Sequence, residues 1–258
     1  DSSTIESYTY DEVGNRLSSI GISAYVYNSS NELTSKPGTT YTYDDNGNLQ
    51  SKSDASGTTN YSWDPENRLT SVSLPGSGET VSYQYDPFGR RIYKSSSLGT
   101  TIFVYDGSNV IEEIGADGSL IASYTHALGI DEPLSVAHGD TTNYYLADGL
   151  GSVTSLTDSK GNLVSTYQYD SFGKLTGSTG SISNPFLYTG REFDAETGLY
   201  FYRARYYDPN LGRFISEDPI RFDAGTNFYI YVQNDPINLV DPWGLQFKSW
   251  QDFSRALS

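Results

Sequence analysis

Residues 80–92 read TVSYQYDPFGRRI, and this stretch decides the fold. Tyr83-Gln84-Tyr85 alternates aromatic and polar side chains, the period-2 pattern of a half-buried strand. Asp86 ends that strand by hydrogen-bonding the backbone of the next turn, and Gly89 supplies the positive φ a tight hairpin demands. Arg91-Ile92 then restarts the chain as a returning strand. One such unit is a β-hairpin, and it cannot bury its aromatic face alone.

The unit recurs along the chain. Tyr10-Asp11 leads to Gly14-Asn15-Arg16-Leu17, Tyr27-Asn28 to Asn31-Glu32-Leu33, and Tyr43-Asp44 to Gly47-Asn48-Leu49. Trp63-Asp64 leads to Asn67-Arg68-Leu69; the pattern blurs at Tyr105-Asp106 and returns at Tyr169-Asp170 with Gly173-Lys174-Leu175. The clear copies are 16 to 22 residues apart. Stacked neighbours bury what one hairpin cannot, which predicts an all-β protein whose hairpins form a curved or spiral sheet rather than a closed sandwich. Tyrosines are expected along its inner face at one per unit. No segment has a convincing helical period; the nearest is the tail, where Phe247, Trp250 and Phe253 follow a three-residue spacing.

Composition narrows the function. The formal net charge of −16 argues against a nucleic-acid partner, because phosphate binding needs a basic surface. No run approaches the roughly 20 apolar residues of a membrane helix. Without cysteine there are no disulfides and no thiolate chemistry, so sheet pairing and aromatic packing must hold the fold. The absence of methionine leads to the expectation of a processed product or an excised piece of something longer. Edge strands left open by such a piece are expected to pair with another copy or with further shell segments.

The segment 200–245 differs from the array before it, and the 13 residues after it, QFKSWQDFSRALS, share neither pattern. Within it, Asp218 and Asp241 are each followed by proline, with Arg205 upstream. Two carboxylates brought together share one proton, so that one serves as general base on a water while the other polarises a carbonyl. The plainer reading is that Asp-Pro starts turns, since six of the ten prolines follow aspartate, two of them in ordinary repeats. On the residues alone the turn reading outweighs catalysis. Arg203 and Arg213 alternate with aromatics as stacking or ion-pair posts.

The Tyr-Asp units resemble the YD repeats of the Rhs family. GREFDAETGLYFYRARYYDPNLGRFISEDPI (190–220) and NDPINLVDPWGL (234–245) resemble the Rhs-associated core that closes such arrays, a family that includes polymorphic bacterial toxins, toxin-complex C proteins and, more distantly, teneurins. The resemblance implies a spiral sheet forming part of a hollow shell around a C-terminal toxin, with 258 residues supplying its last turns and plug. It divides the chain into a YD-repeat array (1–177), the closing core with its autoproteolysis motif (178–245) and the start of a variable C-terminal region (246–258). It further implies an aspartyl-type autoprotease that acts once, on its own chain, and frees the effector. The matching residues are Asp218, Asp241 and Arg205, and the matching bond is Leu245-Gln246. A secreted or cell-surface location follows from the same resemblance, with the chain's own toxin region or further shell segments as partners. The alternative is a non-enzymatic surface, adhesion or filament-forming repeat protein.

Other motifs carry no chemistry. His126 and His138 are isolated and read as surface or packing residues. Asp44-Asp45-Asn46-Gly47-Asn48 has its glycine at the wrong position for a calcium loop and reads as a hairpin turn. Gly149-Leu150-Gly151 lacks the lysine and helix start of a phosphate loop. Phe228-Tyr229-Ile230-Tyr231 reads as a buried strand rather than a sugar-stacking face. Neither a cofactor nor a metal is expected.

Overall fold

The computed structural model describes residues 6–76, 78–245 and 248–249. Its main body is a 16-stranded antiparallel meander in which every strand pairs with its neighbours in sequence, from Val26–Tyr27 to Leu175–Thr179. A three-stranded sheet (Tyr8–Tyr10, Arg16–Ser19, Ile22–Ser23) precedes it, and a four-stranded sheet spans Glu192–Asp194, Leu199–Tyr202, Arg205–Asp208 and Arg213–Phe214. Among the described residues the helical turns are short 3-10 segments, such as Arg221–Ala224, and no helix is long and apolar enough to cross a membrane. The tail-helix candidate lies outside the described residues, except that Lys248–Ser249 pair as a strand with Leu239–Val240.

The clear repeat turns are built by their aspartate, or by Asn28 in the second unit, as the repeat predicts. Asp86 Oδ1 accepts from the amides of Phe88 (2.9 Å) and Arg90 (3.0 Å), and Asp44 Oδ1 does the same for Asn46 (3.0 Å) and Asn48 (2.9 Å). The Asp44–Asn48 stretch is therefore a hairpin turn, with Gly47 at φ +75°. Asn67, at φ +59°, takes the left-handed position in a unit without glycine.

In several units the tyrosine before the aspartate or asparagine has a second task, joining its unit to the one before. Tyr27 Oη donates to Arg16 O (2.9 Å), Tyr85 to Leu69 O (2.7 Å), Tyr105 to Arg91 O (2.9 Å) and Tyr169 to Val153 O (2.6 Å). Trp63 Nε1 makes the same bond to Leu49 O at 2.8 Å. Where the repeat blurs, His126 takes the position, its Nε2 lying 2.7 Å from Val110 O and its ring packed edge-on against Phe186. Removing one hydroxyl leaves a carbonyl unpaired, which costs about 1–3 kcal/mol. Tyr169→Phe is expected to lower stability by about that amount in urea titrations, and Tyr144→Phe, on a half-exposed side chain, by almost nothing. Equal effects would show that the hydroxyl bond does not join the units.

The inner face carries one buried aromatic per unit (Tyr41, Tyr61, Tyr83, Phe103, Tyr124, Tyr145), and the closing segment fills the concavity. Leu199, Phe201, Tyr206, Leu211 and Ile215 pack with the early strands, Phe186 with the later ones. A third cluster gathers Tyr200, Tyr202, Tyr207, Phe214 and Tyr231 within the plug. Tyr229 and Tyr231 are buried as expected, but 228–231 is a turn rather than a strand, touching the plug's sheet only through an isolated bridge from Ile230 to Arg213 and running into the 3-10 turn Val232–Asn234. The array curls until its ends meet: Glu6 accepts from the Ser171 amide (3.1 Å), and the Arg16 guanidinium lies 4.3 Å from the ring centres of both Tyr8 and Phe172.

Candidate active site

The plug's sheet carries Arg205 at the start of its third strand, where it is 3% exposed, and its guanidinium stacks 3.6 Å from the centre of the Phe214 ring. From there Nη2 reaches Asp218 Oδ2 at 2.7 Å and Asp241 Oδ2 at 3.5 Å. Nη1 donates to Phe228 O (2.9 Å) and Nε to Gly244 O (2.5 Å). One guanidinium nitrogen thus ties together two carboxylates that are 23 residues apart in sequence. Both are 2% exposed.

Neither aspartate lies within a strand. Asp218 lies in a loop ahead of the 3-10 turn Arg221–Ala224, and Asp241 directly follows the short strand Leu239–Val240. The reason is the following proline, which cannot donate to a ladder. The turn contacts and the contacts to Arg205 use different oxygens. Asp218 Oδ1 accepts from the Ile220 amide at 3.0 Å, and Asp241 Oδ1 accepts from the Leu245 amide at 3.0 Å. In each residue Oδ1 shapes the turn and Oδ2 faces Arg205.

Charge sets the protonation of this cluster. Burial lowers Arg205 to about 10, against the pull of Asp218 and Asp241, so it remains cationic at neutral pH. Burial also raises Asp218, with Arg205 opposing and the Asp241 charge adding to the rise. Asp241 is raised by burial as well, again opposed by Arg205 and by the backbone amides of its turn. One guanidinium balances one carboxylate, and among the described residues the second is paired with no cation of its own, so the pair favours holding one proton.

Leu245 comes to the dyad through the turn 241–245. Gly244 adopts φ +66°, and a Cβ there would collide with the Tyr202 carbonyl oxygen, so a glycine is required. The Ala204 amide donates to Trp243 O at 3.2 Å. Trp243 is 40% exposed, with the Arg203 guanidinium 5.0 Å from its ring. Arg205, Asp218, Asp241 and Leu245 line one cavity of about 310 Å³, ample for a water. Gln246 lies outside the described residues. A larger cleft of about 800 Å³ also borders Leu245 but does not include the carboxylates.

Arg213, read as a stacking post, lies over Tyr27 and Tyr229. Sequence reasoning passed over Asp131, which accepts from both Arg191 and Arg203. It falls where the repeat blurs, and that break was the available signal. Among the described residues no group of histidines and carboxylates is arranged to hold a metal.

Residues 1–237 match the family model for the teneurin YD-shell. The chain is 36% identical over 258 residues to the tRNA nuclease WapA of Bacillus subtilis (strain 168), covering 93% of this chain and 11% of that protein. Over 107 residues it is also 36% identical to the double-stranded DNA deaminase toxin A of Burkholderia cenocepacia (strain H111), covering 40% of this chain and 7% of the other. The chain therefore spans about a tenth of the length of the WapA relatives it matches. Among solved structures, TcdB2-TccC3 without its hypervariable C-terminal region superposes with a TM-score of 0.62 at 22% identity, over 93% of this chain and 15% of that one. The Photorhabdus luminescens Tc holotoxin pore gives 0.60 at 20% identity, over 94% and 17%. These likenesses share the fold, and the family match covers nearly all of the sequence: the chain is an Rhs-type member of the YD-shell family.

Proposed function

We propose that this chain is the closing part of a toxin shell and that its plug cuts the polypeptide once, between Leu245 and Gln246, to free a C-terminal effector from a secreted protein. In this reading residues 1–177 are shell wall, 178–245 are plug and protease, and 246 onward begins the cargo. The observation that carries it is the convergence on Arg205: both buried carboxylates touch one guanidinium nitrogen, and the Asp241 carboxylate holds the Leu245 amide. Relatives named as a nuclease and as a deaminase toxin fit a family whose effectors differ while the shell remains.

The chemistry is hydrolysis of one peptide bond. The ionised member of the dyad takes a proton from a water whose oxygen attacks the Leu245 carbonyl carbon. The protonated member polarises the carbonyl oxygen, and the tetrahedral intermediate collapses with a proton passing to the Gln246 nitrogen. The products are a Leu245 carboxylate and a Gln246 amine. Tethering the bond to the dyad supplies a high effective molarity, worth up to about 7–11 kcal/mol of barrier, so a weak dyad suffices for one turnover.

The test is the intact mass of a chain extended beyond residue 258 by a folded reporter. A fragment ending at Leu245 is expected, and persistence of the full-length chain alone would end the proposal. The rate should also be bell-shaped in pH. Cleavage needs one proton on the pair, so it fails at low pH when both carboxyls are protonated and again as the last proton leaves. Because burial raises both groups, that window lies above the ordinary aspartate value of about 3.9. The same shifts mean that the stability these groups add through protonation is complete below the free value. It is lost as pH rises through the folded ones. A rate independent of pH would count against a shared proton.

A further inference from the structure

We propose that Asp131 and Arg203 form a positioning clamp that lets the dyad reach Leu245 only when the later repeats have wrapped around the plug; this rests on the self-cleavage reading above. Asp131 belongs to the array, in the connection between the strands Leu120–His126 and Pro133–His138. It departs from the repeat in conformation too, sitting at φ +61°. Its backbone carbonyl is packed so closely on Gly190 that any side chain there would collide with it.

From that position its carboxylate meets two plug arginines. Arg203 binds it in a two-point fork, Nη1 to Oδ2 at 3.0 Å and Nη2 to Oδ1 at 2.6 Å. Arg191 donates Nη1 to Oδ1 at 2.5 Å and is itself tied to Glu192 and to Phe201 O. Arg203 then passes the constraint on. Its Nη1 also donates to Pro242 O, and its guanidinium faces the Trp243 ring. Pro242 and Trp243 are the two residues between Asp241 and the Gly244-Leu245 end of the turn. Arg203 stands at φ +53°, in the tight turn that joins the strand Leu199–Tyr202 to Arg205–Asp208. A side chain held at both ends is thus rooted one residue from Ala204, whose amide holds Trp243 O.

The other half of the site is held by a different part of the array. The Leu49 amide donates to Ile215 O at 2.9 Å, Tyr229 Oη donates to Gly47 O at 2.8 Å, and Asn227 Nδ2 donates to Asn15 Oδ1 at 2.8 Å. Early repeats therefore seat the Asp218 side, and Asp131 seats the Asp241 side through Arg203. Two carboxylates on one arginine come into register with the bond only when both parts of the wall are in place. Self-cleavage is thereby coupled to closure of the shell.

The experiment uses the full chain carrying a C-terminal reporter, with Asp131→Asn, Arg203→Met and Arg203→Lys, each checked for an unchanged urea midpoint. Lysine keeps the charge but cannot bridge Asp131 and Pro242 O with a planar fork. Misplacing a reacting group by about 1 Å costs on the order of 10²-fold in rate, so cleavage should slow by that order in all three variants. The two limbs of the pH profile should stay where they are, because the clamp bonds the turn at Pro242 O rather than the two carboxylates. Amide exchange over residues 241–245, measured in an uncut Asp218→Asn background, should speed up at least about tenfold. Unchanged exchange in Asp131→Asn and Arg203→Met overturns the clamp whatever the cleavage rate, and faster exchange with wild-type cleavage overturns its role in positioning. If the unaltered chain is never cut, the protease reading falls, while faster exchange would still support the clamp on the turn.

Discussion

Asp218→Asn and Asp241→Asn should each leave the extended chain uncut, with cleavage slowed at least about 10²-fold, the lower bound for losing a positioned general acid or base. Asparagine is the right replacement because the two oxygens of each carboxylate have separate tasks. An amide retains an oxygen that can accept from Ile220 at 218 or from Leu245 at 241, so the turns are preserved. What is lost is the ionisable group facing Arg205. The fold should hold, because replacing one carboxylate leaves Arg205 paired with the other. Arg205→Ala should also block the cut, but it strands two buried carboxylates without a cation and is expected to destabilise the plug as well. The informative comparison is therefore between the two asparagine variants. If either is cleaved at the wild-type rate with its fold intact, the dyad is not the catalyst.

How much of this was legible beforehand differs between wall and site. The wall was read from local rules, since an aromatic pair, an aspartate and a glycine or asparagine specify a hairpin within about ten residues. The bond from each tyrosine hydroxyl to the preceding unit was not legible, because it depends on how neighbouring hairpins stack. His126 in that position could not be recognised for the same reason: its role is defined by Val110 O, 16 residues earlier. In the plug, Asp218, Asp241 and Arg205 were found by resemblance, while their local sequence spoke for turns. A turn role and a contact with Arg205 coexist in each aspartate, because Oδ1 and Oδ2 face different partners, and pattern has no means to separate the two oxygens. For Asp131 the break in the repeat marked the place but could not show the role. Its partner Arg203 is 72 residues away, and the ion pair exists only after the spiral has brought the array around the plug.

Asp194→Ala should be among the most destabilising single substitutions in this chain, by about 3–5 kcal/mol, the usual cost of stripping one partner from a buried ion pair. Arg91, from the array, and Asp194, from the plug, are 2% and 1% exposed and meet at 2.5 Å. The arginine lies between the rings of Tyr83, Phe103 and Phe201, at 5.4, 5.1 and 4.6 Å from their centres, and also donates to Tyr206 Oη. Those rings come from both wall and plug, so the pair sits where the two surfaces meet. Removing the carboxylate leaves a cation in an aromatic pocket with Tyr206 as a neutral neighbour. Lys94, which reaches the other oxygen of Asp194 at 3.4 Å, loses a partner too but retains Glu196 at 3.2 Å. The reverse change, Arg91→Met, should cost less than the aspartate deletion, because Lys94 still neutralises Asp194 and the methionine fills the ring pocket. Combining Arg91→Met with Asp194→Leu removes both charges and should recover much of the loss, as buried pairs replaced by apolar residues often do. Urea unfolding of the four chains closes the cycle, with a coupling energy of a few kcal/mol expected. Additive single effects, or a cost under about 1 kcal/mol for Asp194→Ala, would mean that aromatic packing alone seats the plug. In that case, cleavage should survive loss of the pair; with strong coupling, the plug should undock and the cut should slow in parallel with the fall in stability.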